Sequence, residues 1–299
     1  MDKDSEVAAA SELWEQSRAK DICEKLCAQH RFMAAWKFYQ NKNPYQIKDK
    51  NHKKYLPKEV LLQGSANFDE KHDANDQNEK RFYRVRAYVK QYLSMHLRQN
   101  LVALHRHKDA LFANAQNLLF VDFGCGPMTG GIALRDIAKI TGAPTDITYL
   151  GVDASKNMLE LAKAVNHKYK IFAPERFFVY PAKDINVPRL RGQWDTMILN
   201  LSFVLAPTTL KTEGSQQKTV KTLAHQWSNW VQEAEPRNMM TLYCNPERES
   251  FHANWKRLTV ELGTRMPQGY RLLPHPKKQQ IWWHEKREPC YSDVIHWRT

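Results

Sequence analysis

The sequence lacks a paired set of cysteines. Its five, Cys23, Cys27, Cys125, Cys244 and Cys290, are odd in number and scattered, which argues against a disulfide framework and for a reducing compartment. No apolar run approaches the roughly 20 residues that a bilayer span needs, and no charged-then-apolar leader precedes the acidic start Met1 to Glu6. A cytoplasmic protein with no membrane span is expected. Cys23, Cys27 and His30 would share one side of a helix, but a closed zinc site needs a fourth ligand, so no metal is implied. There is no internal repeat. Acids are also in short supply, with 32 Asp and Glu against 45 Lys and Arg for a formal charge of +13. That balance favours polyanionic partners, of which nucleic acid is the first to consider and an acidic protein another.

What is present suffices for a full core: 299 residues, 42% of them hydrophobic and 11% aromatic, which suits one large domain or one with a cap. Leu13, Ile22, Leu26, Met33 and Trp36 recur at near-helical intervals and predict one or two amphipathic helices within Ser11 to Gln40. Asn41 to Lys58, with six lysines against one acid, reads as an irregular connector, and Phe68 to Asn78 as polar and turn-rich. From Arg81 to Lys108, Phe82, Val85, Val89, Leu93, Leu97, Leu101 and Leu104 step by three or four, the spacing of one apolar helix face. Arg81, Arg84, Arg86, Lys90, Arg98, Arg106 and Lys108 ride on that helix with no acid between them. Tyr83, Tyr88 and Tyr92 interleave with the bases. Together with Lys53 and Lys54, residues Arg81, Arg84, Arg86, Lys90 and Arg98 are the candidate phosphate-binding surface.

After Gln116 the pattern changes to short apolar runs: Leu118 to Phe123, Ile147 to Val152, Phe177 to Tyr180, Thr196 to Leu201 and Met239 to Tyr243, with helix-like segments between them. This alternation predicts a parallel sheet covered on both faces. Gln280 to His284 and Asp293 to Trp297 are too close in sequence for a helical crossover and should pair antiparallel. The expected fold is therefore α/β, a doubly wound, mostly parallel seven-stranded sheet with an antiparallel C-terminal hairpin and an N-terminal α-helical region. Residues 1–115 form a basic helical cap or substrate-binding region and 116–299 the sheet domain.

The first strand runs into Gly124-Cys-Gly-Pro-Met-Thr-Gly130-Gly131 and a helix start. Such glycines permit positive φ and close approach of a ligand. A dinucleotide fingerprint would need glycine where Thr129 stands, Pro127 removes an amide, and no Gly-Lys-Ser/Thr follows to make a P-loop. Asp122, just before the turn, would repel a diphosphate and favour a cationic ligand, or it caps local amides. Asp153 ends the second strand, where a carboxylate can accept ribose hydroxyls. Ser155 can cap the next helix, Met158 can lie on an adenine or be ordinary core, and Asp184 lies in the loop after the third strand.

Val121-Asp-Phe-Gly-Cys-Gly-Pro, Gly151-Val-Asp-Ala-Ser and Ala182-Lys-Asp-Ile, in this order and spacing, resemble the class I S-adenosylmethionine-dependent methyltransferases. Trp194-Asp-Thr-Met-Ile-Leu-Asn-Leu-Ser-Phe resembles the family's fourth strand, so the likeness covers about Asn117 to Thr299. The resemblance implies S-adenosylmethionine as cofactor and contacts from Asp122, Phe123, Gly124, Gly126, Asp153, Ala154, Met158, Asp184, Ile185 and Asn200. Met128 departs from the family, many members of which have a third glycine there.

In-line methyl transfer chiefly requires alignment and exclusion of water. Asn200, Ser202 and Phe203, after the fourth strand, are the candidates for contact with the acceptor, though the two prolines of the nucleic-acid amino-methylating enzymes are missing and Asn200 also suits a strand-end cap. Cys244 reads as a buried or rim cysteine, Trp227 and Trp230 as core, and Pro207 to Lys218 as a substrate lid or a plain loop. Three functions follow: methyl transfer to nucleic acid, RNA or DNA; methyl transfer to a small molecule under a helical lid; or cofactor binding without turnover in an assembly protein that holds a protein partner through its N-terminal half.

Overall fold

The computed structural model describes residues 2–32, 47–48, 54–55, 68–69, 85, 87–113, 115–143, 146–182, 194–204, 213–246, 249–273, 279–282 and 289–299. Two N-terminal helices, α1 (Lys3–Gln16) and α2 (Arg18–Phe32), break at Ser17. Asp2 caps the first by accepting the Ser5 amide at 2.9 Å, which satisfies one of the helix's orphan N–H groups. Within the segment read as an irregular connector, Ile47–Lys48 and Lys54–Tyr55 pair antiparallel as two very short strands.

The long basic helix is present, with a change of pitch. A π turn, Val89–Leu93, leads into α3 (Ser94–Arg106), and α4 (Lys108–Phe112) follows. Val85, Val89, Leu93, Leu97, Leu101 and Leu104 are all buried, as their spacing requires. The lack of acids on this helix is met partly from α1. Arg106 lies 3.5 Å from Glu6, and the Arg98 guanidinium stacks 4.5 Å from the centre of the Trp14 ring. Arg98 is therefore half-buried against α1. Lys90 and Lys54 are described only as backbone, and Lys53, Arg81, Arg84 and Arg86 lie outside the described residues.

The sheet consists of β1 (Asn117–Phe123), β2 (Asp146–Asp153), β3 (Phe177–Pro181), β4 (Thr196–Ser202), β5 (Asn238–Pro246), β6 (Arg271–Leu272), β7 (Gln279–Ile281) and β8 (Cys290–Arg298). Its order is β3-β2-β1-β4-β5-β8. The first five strands are parallel, and β8 runs antiparallel to β5. The expected hairpin pairs Ile281 with Cys290, while β6 pairs with the far end of β8. The seventh position is thus shared by two short segments along one edge.

Helices α5 (Thr129–Ile140), α6 (Lys156–Tyr169), α7 (Glu213–Ala234) and α8 (Glu249–Arg265) cover the sheet. Glu213 to Lys218, read as loop, are the first turns of α7, continuous with the helical run Val220, Leu223, Trp227 and Val231 that the core buries. The helix expected between β3 and β4 falls on residues 183–193, outside the described ones. Successive strand residues face opposite sides, which divides the core in two. Phe120, Tyr149, Ile198 and Leu242 join Leu97, Leu101 and Trp14 on one face. Val121, Leu150, Leu199 and Tyr243 join Trp227, Trp230 and Trp255 on the other. Both tryptophans of α7 are core, as expected. No described helix is long and apolar enough to cross a membrane.

Candidate active site

Strand order reverses between β1 and β4, the point in an open α/β sheet where the carboxyl ends of neighbouring strands leave a crevice for ligands. The glycine turn lies there. Gly124 and Gly126 have φ of 68° and 50°, the left-handed region that side chains avoid. A Cβ on Gly124 would also meet the Val204 methyl at 2.5 Å. Met128, the departure from the family's glycine, itself takes the left-handed conformation, φ 60°. The turn has kept the backbone shape that glycine makes easy and carries its strain on a fully buried side chain.

The turn is tied to β2. Amides of Gly124 and Cys125 both donate to the Val152 carbonyl, at 2.7 and 3.0 Å. Asp153 accepts the Gly126 amide on Oδ2 at 2.9 Å and the Ser155 amide on Oδ1 at 2.8 Å. Burial raises the Asp153 carboxyl above the usual range, and the Asp69 carboxylate raises it further, against the lowering effect of the Ser155, Gly126 and Ala154 amides. Ser155 caps α6 as the sequence predicts, accepting the Met158 amide at 3.1 Å.

Asp69 and Phe68 were not foreseen. Asp69 accepts from Ser155 Oγ at 2.8 Å and from the amides of Lys156 and Asn157 at 3.0 Å each. The Phe68 carbonyl accepts from Asn157 Nδ2 at 2.9 Å. A segment more than 80 residues upstream thus seats on the amino end of α6 beside Asp153. No local pattern announces such a contact.

Asp122 faces inward. Its Oδ1 accepts from Asn200 Nδ2 at 2.8 Å and its Oδ2 from the Tyr149 hydroxyl at 3.0 Å. Ser202 Oγ lies 2.7 Å from Asn200 Oδ1 and 2.8 Å from Asn100 Oδ1. All five side chains but Ser202 are at most 3% exposed, and Ser202 is 8%. Asn200 and Ser202, expected to meet the acceptor, are therefore committed to a network that braces β1, β4 and α3. The cause is register: Asn200 pairs directly with Asp122 across the sheet and so shares its face. Asp122 is thus held by side chains of β2 and β4, with the Gly131 amide as its local backbone partner.

Burial holds the Asp122 carboxyl up at about 6, and the Asp153 charge adds to the rise, while Asn200, Tyr149 and the Gly131 amide oppose it. A folded-state value above the ordinary 3.8 means that the folded protein retains a proton that the unfolded chain has released. This contribution to stability is complete below pH about 4 and is lost as pH rises through about 6, worth about 3 kcal/mol at most. A carboxyl 13C resonance titrating near pH 6 in Asp122, and absent in Asp122→Asn, is the expected observation.

Phe203 remains the candidate nearest the acceptor side. It has φ 65°, and its amide donates to the Cys244 carbonyl at 3.0 Å. Its ring stacks on His96 with centroids 3.9 Å apart, and His96 stacks in turn against Tyr92 at 5.7 Å. The Tyr88 hydroxyl lies 2.6 Å from His96 Nδ1 and 3.7 Å from where a Gly126 Cβ would be. Burial drives His96 down to about 3, so its ring is neutral at physiological pH. Tyr88, Tyr92 and His96 recur every four residues, so His96, which no sequence pattern singles out, joins two of the aromatics that interleave with the bases. Among the other expected contacts, Phe123 is half-buried against Trp230, Ala154 is exposed and Met158 buried. Asp184 and Ile185 lie outside the described residues. Cys244 is buried beside Cys290 and Ala103.

No protein-family model matches the chain, and no curated protein matches it. Similar solved structures include EvdMO1 (11% identity over 65% of this chain and 40% of that one, TM-score 0.37). A putative RNA methyltransferase, PH1948 from Pyrococcus horikoshii, is another (12%, 70% and 85%, 0.35). The delta-N METTL16 MTase domain is a third (14%, 66% and 81%, 0.42). The chain thus spans less than half the length of EvdMO1. The observed strand order, with its antiparallel strand beside β5, is the Rossmann-like arrangement that the sequence resemblance implies.

Proposed function

We propose that this chain is an S-adenosylmethionine-dependent methyltransferase that transfers the methyl group in line to a nucleic-acid acceptor, RNA before DNA. One observation carries the reading of the cofactor: Asp122 and Asp153 flank a left-handed glycine turn at the switch point, with Asp69 beside Asp153, and burial together with the neighbouring carboxylate raises the proton affinity of both Asp122 and Asp153. Such a site favours a ligand with positive charge over a diphosphate. Asp153 would hold the ribose hydroxyls, the turn amides and Gly126 would allow close approach, and Asp184 with Ile185 would border the adenine. When bound, the cofactor supplies an electrophilic methyl on a sulfonium. The protein's part is to align the acceptor and keep water out, for which the ring stack Tyr88, Tyr92, His96 and Phe203 provides an apolar wall.

The formal charge of +13 and the bases of the N-terminal half support the choice of nucleic acid. That surface would comprise Lys53, Lys54, Arg81, Arg84, Arg86, Lys90 and Arg98, the last stacked on Trp14. A small-molecule acceptor is the second reading, favoured by the seating of Phe68 and Asp69 over α6 in the manner of a lid. The deciding experiment incubates the protein with methyl-labelled cofactor and cell extract split into RNA, DNA, protein and small-molecule fractions. Label in RNA is expected, with oligonucleotide affinity falling steeply with salt and falling again in Arg84→Glu/Arg86→Glu. Label confined to small molecules selects the second reading, and label in no fraction points to binding without turnover.

A further inference from the structure

The helical half brings one hydroxyl to the glycine turn. Tyr88, the residue just before the π turn, is half-buried, and its oxygen ends against Gly126, the glycine whose amide Asp153 holds. Burial first, and then the charges of Asp153, Asp122 and Cys125, raise the phenol far above its ordinary value, while the Thr129 hydroxyl at the start of α5 opposes them. The oxygen is therefore within reach of both carboxylates, one at each end of the turn.

Its direction is fixed from behind. His96 Nδ1 lies 2.6 Å from the hydroxyl, and the His96 ring is itself stacked within 7° of parallel on Phe203 and within 14° on Tyr92. Phe68, edge-on at 5.9 Å, and Tyr92, at 6.1 Å, pack against the phenol ring. A phenylalanine would fill the same ring contacts, so the packing does not require the oxygen. In either tautomer of His96 that oxygen retains a lone pair. Two carboxylates and a phenol oxygen around one turn make an electron-rich place, which a positive charge relieves and a neutral ligand does not.

We propose that Tyr88 is a cofactor-contacting residue supplied by the helical half, that its phenol oxygen recognises the sulfonium charge of S-adenosylmethionine, and that His96 is the positioning residue that aims it. The covalent order of the cofactor supports the assignment. Its ribose, held by Asp153, is joined to the sulfur through a single methylene, so the charged centre belongs close to Asp153, where the hydroxyl stands. An oxygen there prefers the charged methyl donor to the neutral product, S-adenosylhomocysteine. The inference rests on the S-adenosylmethionine reading of this site and deepens it.

The test measures equilibrium binding of S-adenosylmethionine and S-adenosylhomocysteine to wild type, Tyr88→Phe and His96→Phe, the last of which keeps a ring for Phe203 and Tyr92 to stack on. Tyr88→Phe should lose about tenfold in affinity for S-adenosylmethionine, the worth of one polar contact to a charged group, while S-adenosylhomocysteine stays within about twofold. His96→Phe should shift the ratio of the two affinities in the same direction by about threefold, since the oxygen is present but no longer aimed. That variant leaves Tyr88 in place, so it decides the matter even should Tyr88→Phe not fold. A parallel loss of both ligands would mark a packing role, and unchanged binding of both would mark no contact; either overturns the proposal. Wild type that binds neither ligand overturns the S-adenosylmethionine reading itself. Wild type that binds both, with an unaltered ratio in the variants, overturns only the assignment of Tyr88, so the two failures are distinguishable.

Discussion

Asp153→Ala is expected to weaken binding of S-adenosylmethionine and S-adenosylhomocysteine by on the order of 10²–10⁴-fold, measured by titration calorimetry. Two charge-assisted hydrogen bonds to ribose hydroxyls, each worth about 1.5–3 kcal/mol, give that range. The carboxylate also holds the Gly126 and Ser155 amides, so its loss loosens the turn and the start of α6 together. Asp153→Asn keeps the shape and one acceptor oxygen, and should fall between. Nucleic-acid binding through the N-terminal bases should be unaffected in both, because those bases lie on separate segments of the chain. If Asp153→Ala binds cofactor within tenfold of wild type, the ribose assignment is wrong.

The second large effect is a reversal of sign. Glycine to alanine inside a helix ordinarily stabilises by about 1 kcal/mol. In α8, Gly263 should behave in this way, since a Cβ there meets nothing within 4 Å. At Gly130, in the first turn of α5, a Cβ would sit 2.4 Å from Asn200 Nδ2 and 2.8 Å from both oxygens of Asp122. Neither side chain can swing away, because Tyr149 and Ser202 hold them from behind. Overpacking costs about 1–3 kcal/mol and a strained charged hydrogen bond about as much again. Gly130→Ala should therefore destabilise by roughly 2–4 kcal/mol, a fall in Tm of about 5–10 °C, while Gly263→Ala raises Tm. Equal shifts in the two variants would mean that the Asp122 network yields readily.

The sequence exposed most of the sheet because its signals are local. Runs such as Leu118 to Phe123 are apolar throughout only when a strand is covered on both faces, and Asp153 and Ser155 announced a strand end and a cap within three residues of each other. Asp122 was visible as an acid, but its orientation was not. That depended on Asn200 in β4 and Tyr149 in β2, neighbours made by strand order. Phe68 and Asp69 could not be read at all, since an acid capping a helix more than 80 residues away leaves no periodicity. The basic helix shows the opposite failure: its charge was plain, yet Arg98 and Arg106 find their partners on α1, whose acids a window centred on the helix never includes.

Phe120, Ile132 and Leu134 of the sheet half share a single apolar cluster with Trp14, Leu93, Leu97 and Leu101 of the helical half. Caps that merely rest on an enzyme can be lost, lengthened or exchanged between lineages without disturbing the domain below. Here α5 is also tied to the second N-terminal helix by a polar contact, Asp136 accepting the Ala19 amide at 2.7 Å. A change in the packed face of the N-terminal helices therefore reaches the sheet half directly, and on the proposed reading the acceptor surface and the cofactor turn would drift together through descent.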